Sequence, residues 1–119
     1  MKPAKRILVV EDEPIVAISL QDMLGDLGYD VVGPAFRVAA ALALTEAEAE
    51  TIDAAILDVN MAGEDSYAVA YALKARDIPY LFATGYGRQG LEPGHEDVPV
   101  LQKPYRESQV KAALKELLG

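Results

Sequence analysis

Two kinds of pattern alternate along the chain. Ile7-Leu8-Val9-Val10 is a short, continuous apolar run closed by the acids Glu11-Asp12, as a strand buried on both faces should be. Behind it Val16, Leu20, Met23, Leu24 and Leu27 recur on one helical face. Pro14 can open that helix, where a missing N–H costs nothing, and Gly28 can end it. Residues 30–35 hold Val31-Val32, a second strand closed by Gly33-Pro34, and the alanine-rich stretch 38–50 predicts a second helix. Residues 54–57 read as a third strand and 66–76 as a helix with Tyr67, Ala70 and Leu73 on one face. Residues 80–83 and 100–101 give two more strands, and 108–118 a last helix burying Val110, Leu114 and Leu117. Between them, residues 85–98 hold four glycines and Pro93 with little periodicity. A loop, with at best a frayed helix, is expected there.

Strand and helix in alternation predict an α/β fold with a doubly wound parallel sheet and helices on both faces. Neither a repeat nor an internal linker interrupts the pattern, so residues 1–119 read as one domain. Ligand chemistry in such sheets belongs outside the carboxyl ends of the strands.

Composition narrows the function classes. A chain of 119 residues without cysteine has no disulfides, thiolate metal sites or cysteine nucleophiles. Acids outnumber bases 19 to 11, for a net charge of −8. That balance disfavours direct binding to nucleic acid or to an anionic membrane. No apolar stretch approaches the ~20 residues of a membrane span, and the run 7–10 is too short for a signal peptide. A cytoplasmic location is expected.

The polar residues at the strand ends supply the chemistry. The first strand ends in Glu11-Asp12, the third in Asp58, the fourth in Thr84 and the fifth in Lys103. A parallel sheet brings these ends to one edge, where carboxylates, a hydroxyl and an ammonium converge. Clustered carboxylates repel one another and invite a hard divalent cation. Mg²⁺ fits, since it takes a few carboxylates and keeps waters that a phosphate can replace. A carboxylate beside groups that stabilise a transferring phosphoryl is a nucleophile, and Asp58 is the central candidate.

These segments resemble the receiver domain of two-component response regulators over essentially the whole chain, through ILVVEDEP, AAILDVNMAGE, FATG and LQKPY. Within that family, PYLFATGYG at residues 79–87 is similar to the signature of the FAT GUY receivers. The resemblance implies a (βα)5, flavodoxin-like sheet of order 2-1-3-4-5 and a single-domain response regulator. Asp58 would accept a phosphoryl group from a histidine kinase or histidine phosphotransfer protein. Asp12, Asp58 and the Asn60 backbone carbonyl would bind Mg²⁺, with Glu11 acting directly or through water. Thr84 and Lys103 would contact the phosphoryl, Lys103 before a cis bond to Pro104. Kinases of the HWE or a related type would dock around Pro14, Ile15, Pro104 and Tyr105. Self-phosphorylation and slow self-dephosphorylation would be its only chemistry, so it is not expected to be an enzyme.

The sequence departs from the family pattern in two places. Val100 stands where most receivers carry the inward-rotating aromatic, and the glycine-rich stretch replaces a firm fourth helix. Phosphorylation is then expected to order residues 85–98 through Thr84, with Tyr86 as the replacement aromatic. The G-x-G-x-x-G spelled by residues 85–90 lacks the helix a dinucleotide site needs. His95, the only histidine, reads as a solvated loop residue, and Glu46, Glu48 and Glu50 as a solvated helix end. One rival function is a haloacid-dehalogenase-type phosphatase. It needs a second Asp where Asn60 stands, and an amide cannot shuttle the proton. The other is a receiver-fold binding module that is never phosphorylated.

Overall fold

The computed structural model describes residues 3–61, 63–86 and 91–119. Five parallel strands form one sheet: β1 (Arg6–Val10), β2 (Asp30–Ala35), β3 (Ala54–Asp58), β6 (Tyr80–Thr84) and β7 (Val100–Gln102). Their order is β2-β1-β3-β6-β7, which is the expected 2-1-3-4-5 once a small hairpin is set aside. That hairpin, β4 (Asn60–Met61) with β5 (Glu64–Asp65), is antiparallel and follows β3 directly. The helices are α1 (Pro14–Asp26), α2 (Val38–Ala47), α3 (Tyr67–Ala75) and α4 (Glu107–Leu118). No helix joins β6 to β7 among the described residues; residues 87–90, on which part of the expected loop falls, lie outside them.

The period-2 alternation of the strands sorts the core into two layers. Leu8, Val10, Ala55, Leu57 and Phe82 face α2 and α3, in a cluster with Ala41, Val69, Ala70 and Leu73. Ile7, Val9, Ile56 and Leu81 face the other way, with Leu20 and Leu24 of α1 and Val110 and Leu114 of α4. Burial on both faces explains the unbroken apolar runs of β1 and β3.

Two boundaries differ from the sequence expectation. β2 does not close at Gly33-Pro34 but bulges through it, with the partners of Leu8 and Val10 being Val32 and Ala35. Gly33 takes φ +96° there and Pro34 follows in cis. A left-handed residue and one without an N–H are tolerated on this edge strand because a bulge leaves them out of the ladder. Pairing then resumes, and the Ala35 carbonyl accepts a hydrogen bond from the Glu11 N–H at 3.0 Å. Secondly, α2 stops at Ala47 rather than at residue 50. Glu48 turns to Arg6 instead (3.1 Å), and Thr51 Oγ1 bonds the Glu48 carbonyl, so the chain leaves the helix toward β3.

Candidate functional site

The carboxyl ends of β1, β3, β6 and β7 bring Glu11, Asp12, Asp58, Thr84 and Lys103 to one edge of the sheet. Asp58 is 1% exposed and Glu11 2%, so any charge on them must be met by contacts rather than by water. Lys103 reaches both: its ammonium lies 2.7 Å from Glu11 Oε1 and 3.2 Å from Asp58 Oδ1. Its backbone is held at the edge by a hydrogen bond from its N–H to the Thr84 carbonyl at 2.8 Å, and the bond to Pro104 that follows is cis. Thr84 is fully buried, and its Oγ1 accepts from the Tyr86 N–H at 3.1 Å.

Local turns fix the remaining geometry. The Asn60 N–H donates to Asp58 Oδ1 (3.0 Å), and the Glu13 N–H to Glu11 Oε2 (3.1 Å). Asn60 belongs to the β4–β5 hairpin, which Ser66 anchors through Oγ to the Val59 carbonyl at 3.2 Å. Glu64 ties the far strand of that hairpin to α2, accepting from Arg37 and from the Val38 N–H at 3.0 Å. A helix start without a side-chain cap of its own is thereby capped from a distance.

Charge is unbalanced at this edge. Burial, then hydrogen bonding and repulsion from Glu11, push the Asp58 carboxyl from 3.8 up to about 7 despite the nearby ammonium. Burial acts on Glu11 in the same sense, but its bonds to Asp58 and Lys103 prevail and hold it below the usual carboxylate range. Burial tends to lower Lys103, yet the two carboxylates hold its ammonium above its ordinary value. Asp58 Oδ2 and Asp12 Oδ1 are buried with no hydrogen-bond partner among the described residues. Oxygens of Glu11, Asp12 and Glu13 lie within 4.8 Å of one another. Two orphaned carboxylate oxygens beside a carboxylate triplet suit a hard cation with oxygen ligands. A cleft of about 400 Å³, lined by Glu13, Asp58, Asn60, Gly85, Tyr86 and Lys103, opens onto this edge at Asp58 and Glu13.

The response regulator receiver domain family matches residues 7–115. The chain belongs to that family. Among solved structures, SdrG from Sphingomonas melonis Fr1 is 48% identical over 100% of both chains, with a TM-score of 0.84. The transcriptional regulatory protein AruR of Pseudomonas aeruginosa is 29% identical and covers 99% of this receiver domain. The phyllosphere-induced regulator PhyR of Methylorubrum extorquens is also 29% identical and covers 97%. The receiver spans about half the length of these two curated relatives, 51% and 44%. Receivers are signalling domains rather than a catalytic family, and they work with histidine kinases and phosphotransfer proteins, so the phosphatase and silent-module readings are not favoured. No helix among the described residues is long and apolar enough to cross a membrane.

The five strand-end residues named from the sequence do converge. Missed were Glu13 and the anchors Ser66 and Glu64; Tyr105 was named only for docking, not for the site edge it reaches. Glu13 was legible in principle, as the third acid of the run Glu11-Asp12-Glu13. The Tyr105 hydroxyl is buried without a partner among the described residues. Its ionisation is pushed up by burial and then by the charges of Glu11 and Asp58. His95 requires a correction. It is not solvated but 4% exposed, in a nest of Tyr67, Tyr71 and Phe82 rings at 4.8, 5.9 and 5.3 Å. An imidazole presents enough apolar ring to join an aromatic cluster, and a lone histidine in a glycine-rich stretch gives no sign of it.

Proposed function

We propose that this receiver is a phosphoaspartate switch or phosphoryl carrier. Asp58 takes a phosphoryl group from a phosphohistidine of a histidine kinase or histidine phosphotransfer protein, then signals by conformational change or passes the group on. One observation carries this reading: the Lys103 ammonium lies between Glu11 and Asp58 at 2.7 and 3.2 Å while Asp58 Oδ2 has no hydrogen-bond partner among the described residues. In the transfer a carboxylate oxygen of Asp58 bonds to phosphorus. The phosphorus–nitrogen bond breaks, and its electron pair stays with the imidazole. Lys103 exchanges its contact with Asp58 for a phosphoryl oxygen. Thr84 Oγ1, which accepts from Tyr86, still has its own hydrogen to donate to another.

Asp12, Asp58 and the Asn60 carbonyl would hold Mg²⁺, with Glu11 acting directly or through water and Glu13 near at hand. When bound, the ion supplies positive charge that offsets these carboxylates and the incoming phosphoryl. Slow hydrolysis of the same acyl phosphate returns the free carboxylate, so the domain turns over no external metabolite. The partner kinase, of the HWE or a related type, docks around Pro14, Pro104, the half-buried Tyr105 and Ile15, which is 84% exposed. The protein works in the cytoplasm through protein contacts, without nucleic acid or membrane.

The test is intact mass after incubation with Mg²⁺ and acetyl phosphate, wild type beside Asp58→Asn. The wild type should gain one phosphoryl group, lose the gain with chelator, and show none in the variant. Stoichiometric labelling of the Asn variant would move the acceptor elsewhere.

A further inference from the structure

Residues 91–98 form no regular element, yet they are tied to α3 and β6 at two points, through His95 and Glu92. His95 inserts its ring among Tyr67 and Tyr71 of α3 and Phe82 of β6, and the Glu92 N–H donates to the Tyr67 hydroxyl at 3.0 Å. The stretch also closes on itself, the Val98 N–H donating to the His95 carbonyl at 3.2 Å. In a domain where Val100 replaces the usual aromatic, this stretch contributes a ring of its own to the cluster that Tyr67 and Tyr80 also form on Phe82.

We propose that His95 is a latch that holds residues 91–98 against α3 and β6 in the resting protein, and that phosphorylation of Asp58 releases it. The proposal rests on the phosphoacceptor reading above for its trigger. Phe82 and Thr84 lie two residues apart on β6 and therefore point to the same face. A pull on Thr84 by a phosphoryl group acts on the same face of β6 as Phe82, whose ring stands nearly perpendicular to the imidazole at 85°.

The direction of the change follows from how the latch is held. Residues 91–98 are already anchored without a phosphoryl group, so little is left to order there. The hold is also incomplete, since His95 Nε2 is buried with no hydrogen-bond partner among the described residues. A buried polar nitrogen left unpaired favours any state that returns it to water. The latched form is thus the one that a second event can undo.

Coupling of this kind is reciprocal: whatever loosens the latch must favour the phosphorylated form by the same factor. Two variants move it in opposite directions. His95→Ala empties the nest, and His95→Phe keeps the ring but removes the stranded nitrogen. Beryllofluoride with Mg²⁺ serves as the phosphoryl mimic, with affinity read by titration and the latch by amide hydrogen exchange of residues 91–98. Without the mimic, exchange should rise at least tenfold in the Ala variant and stay at or below wild type in the Phe variant. Affinity for the mimic should rise at least threefold in Ala and fall in Phe, and the mimic should speed exchange in the wild type. Unchanged exchange in the Ala variant would overturn the latch itself. Slower exchange on adding the mimic, or weaker binding by the Ala variant, would overturn release. Failure of the wild type to bind the mimic would sink the phosphoacceptor reading and the trigger, while the exchange comparison would still decide the latch.

Discussion

At the scale of the residue, Asp58 is held in tension. Its folded carboxyl is raised from 3.8 to about 7, first by burial and then by Glu11. Between those values the folded protein holds a proton that the unfolded chain has shed, so stability falls as pH rises from about 4 to about 7. Glu11, held below its ordinary 4.5, acts in the opposite sense, but its contribution is lost only on acidification below that value. Asp58→Asn removes the first effect and keeps the Glu11–Lys103 pair. In chelator, the variant should therefore gain on wild type between pH 5 and pH 8 by about 1–3 kcal/mol, the range for a buried group freed of an unmet charge. Urea unfolding at the two pH values measures it, and parallel stabilities would contradict the assigned tension. The sequence made the convergence of Glu11, Asp58, Thr84 and Lys103 legible, because strand ends in a parallel sheet share an edge. It could not show that Lys103 already bridges two carboxylates, since that depends on side-chain reach across three strands.

Among the elements, the β2 bulge is what sets Glu11. The apolar pattern made every main-sheet strand and the four helices among the described residues legible to within a few residues, because each element buries a face with its own period. Gly33-Pro34 was misread as an end because both residues punctuate chains, and only the pairing of Ala35 with Val10 reveals a bulge. The β4–β5 hairpin escaped notice for a different reason: two-residue strands have no period to detect. The bulge itself is testable. A Cβ on Gly33 would lie 2.8 Å from the Ala35 nitrogen and 3.2 Å from the Val9 carbonyl oxygen, at a φ of +96° that L-residues rarely adopt. Gly33→Ala should cost about 1–3 kcal/mol. Because Ala35 must shift, the Glu11 amide should also lose exchange protection ahead of the rest of β1. Loss of stability with Glu11 still protected would show that the bulge and the site are independent.

For the molecule as a whole, the question is whether its charge acts as a field or at a point. A net charge of −8 on 119 residues repels itself, and any added salt relieves that repulsion. The carboxylates at the sheet edge are a separate matter, because Asp12 Oδ1 and Asp58 Oδ2 are buried with no hydrogen-bond partner among the described residues, where diffuse salt screens far less than it does at the open surface. A cation seated on them binds the folded state alone and stabilises it by mass action, about 2.7 kcal/mol at a hundredfold excess over its dissociation constant. For a domain of this size that is roughly a 10 °C rise in Tm. Magnesium chloride should therefore raise the wild-type Tm well beyond sodium chloride at equal ionic strength. Asp12→Asn changes the net charge by only one unit and should respond alike to the two salts. If the Asn variant kept the full magnesium response, the stabilisation would belong to the field of the whole acidic surface, and the carboxylate cluster would lose its assignment as a metal centre.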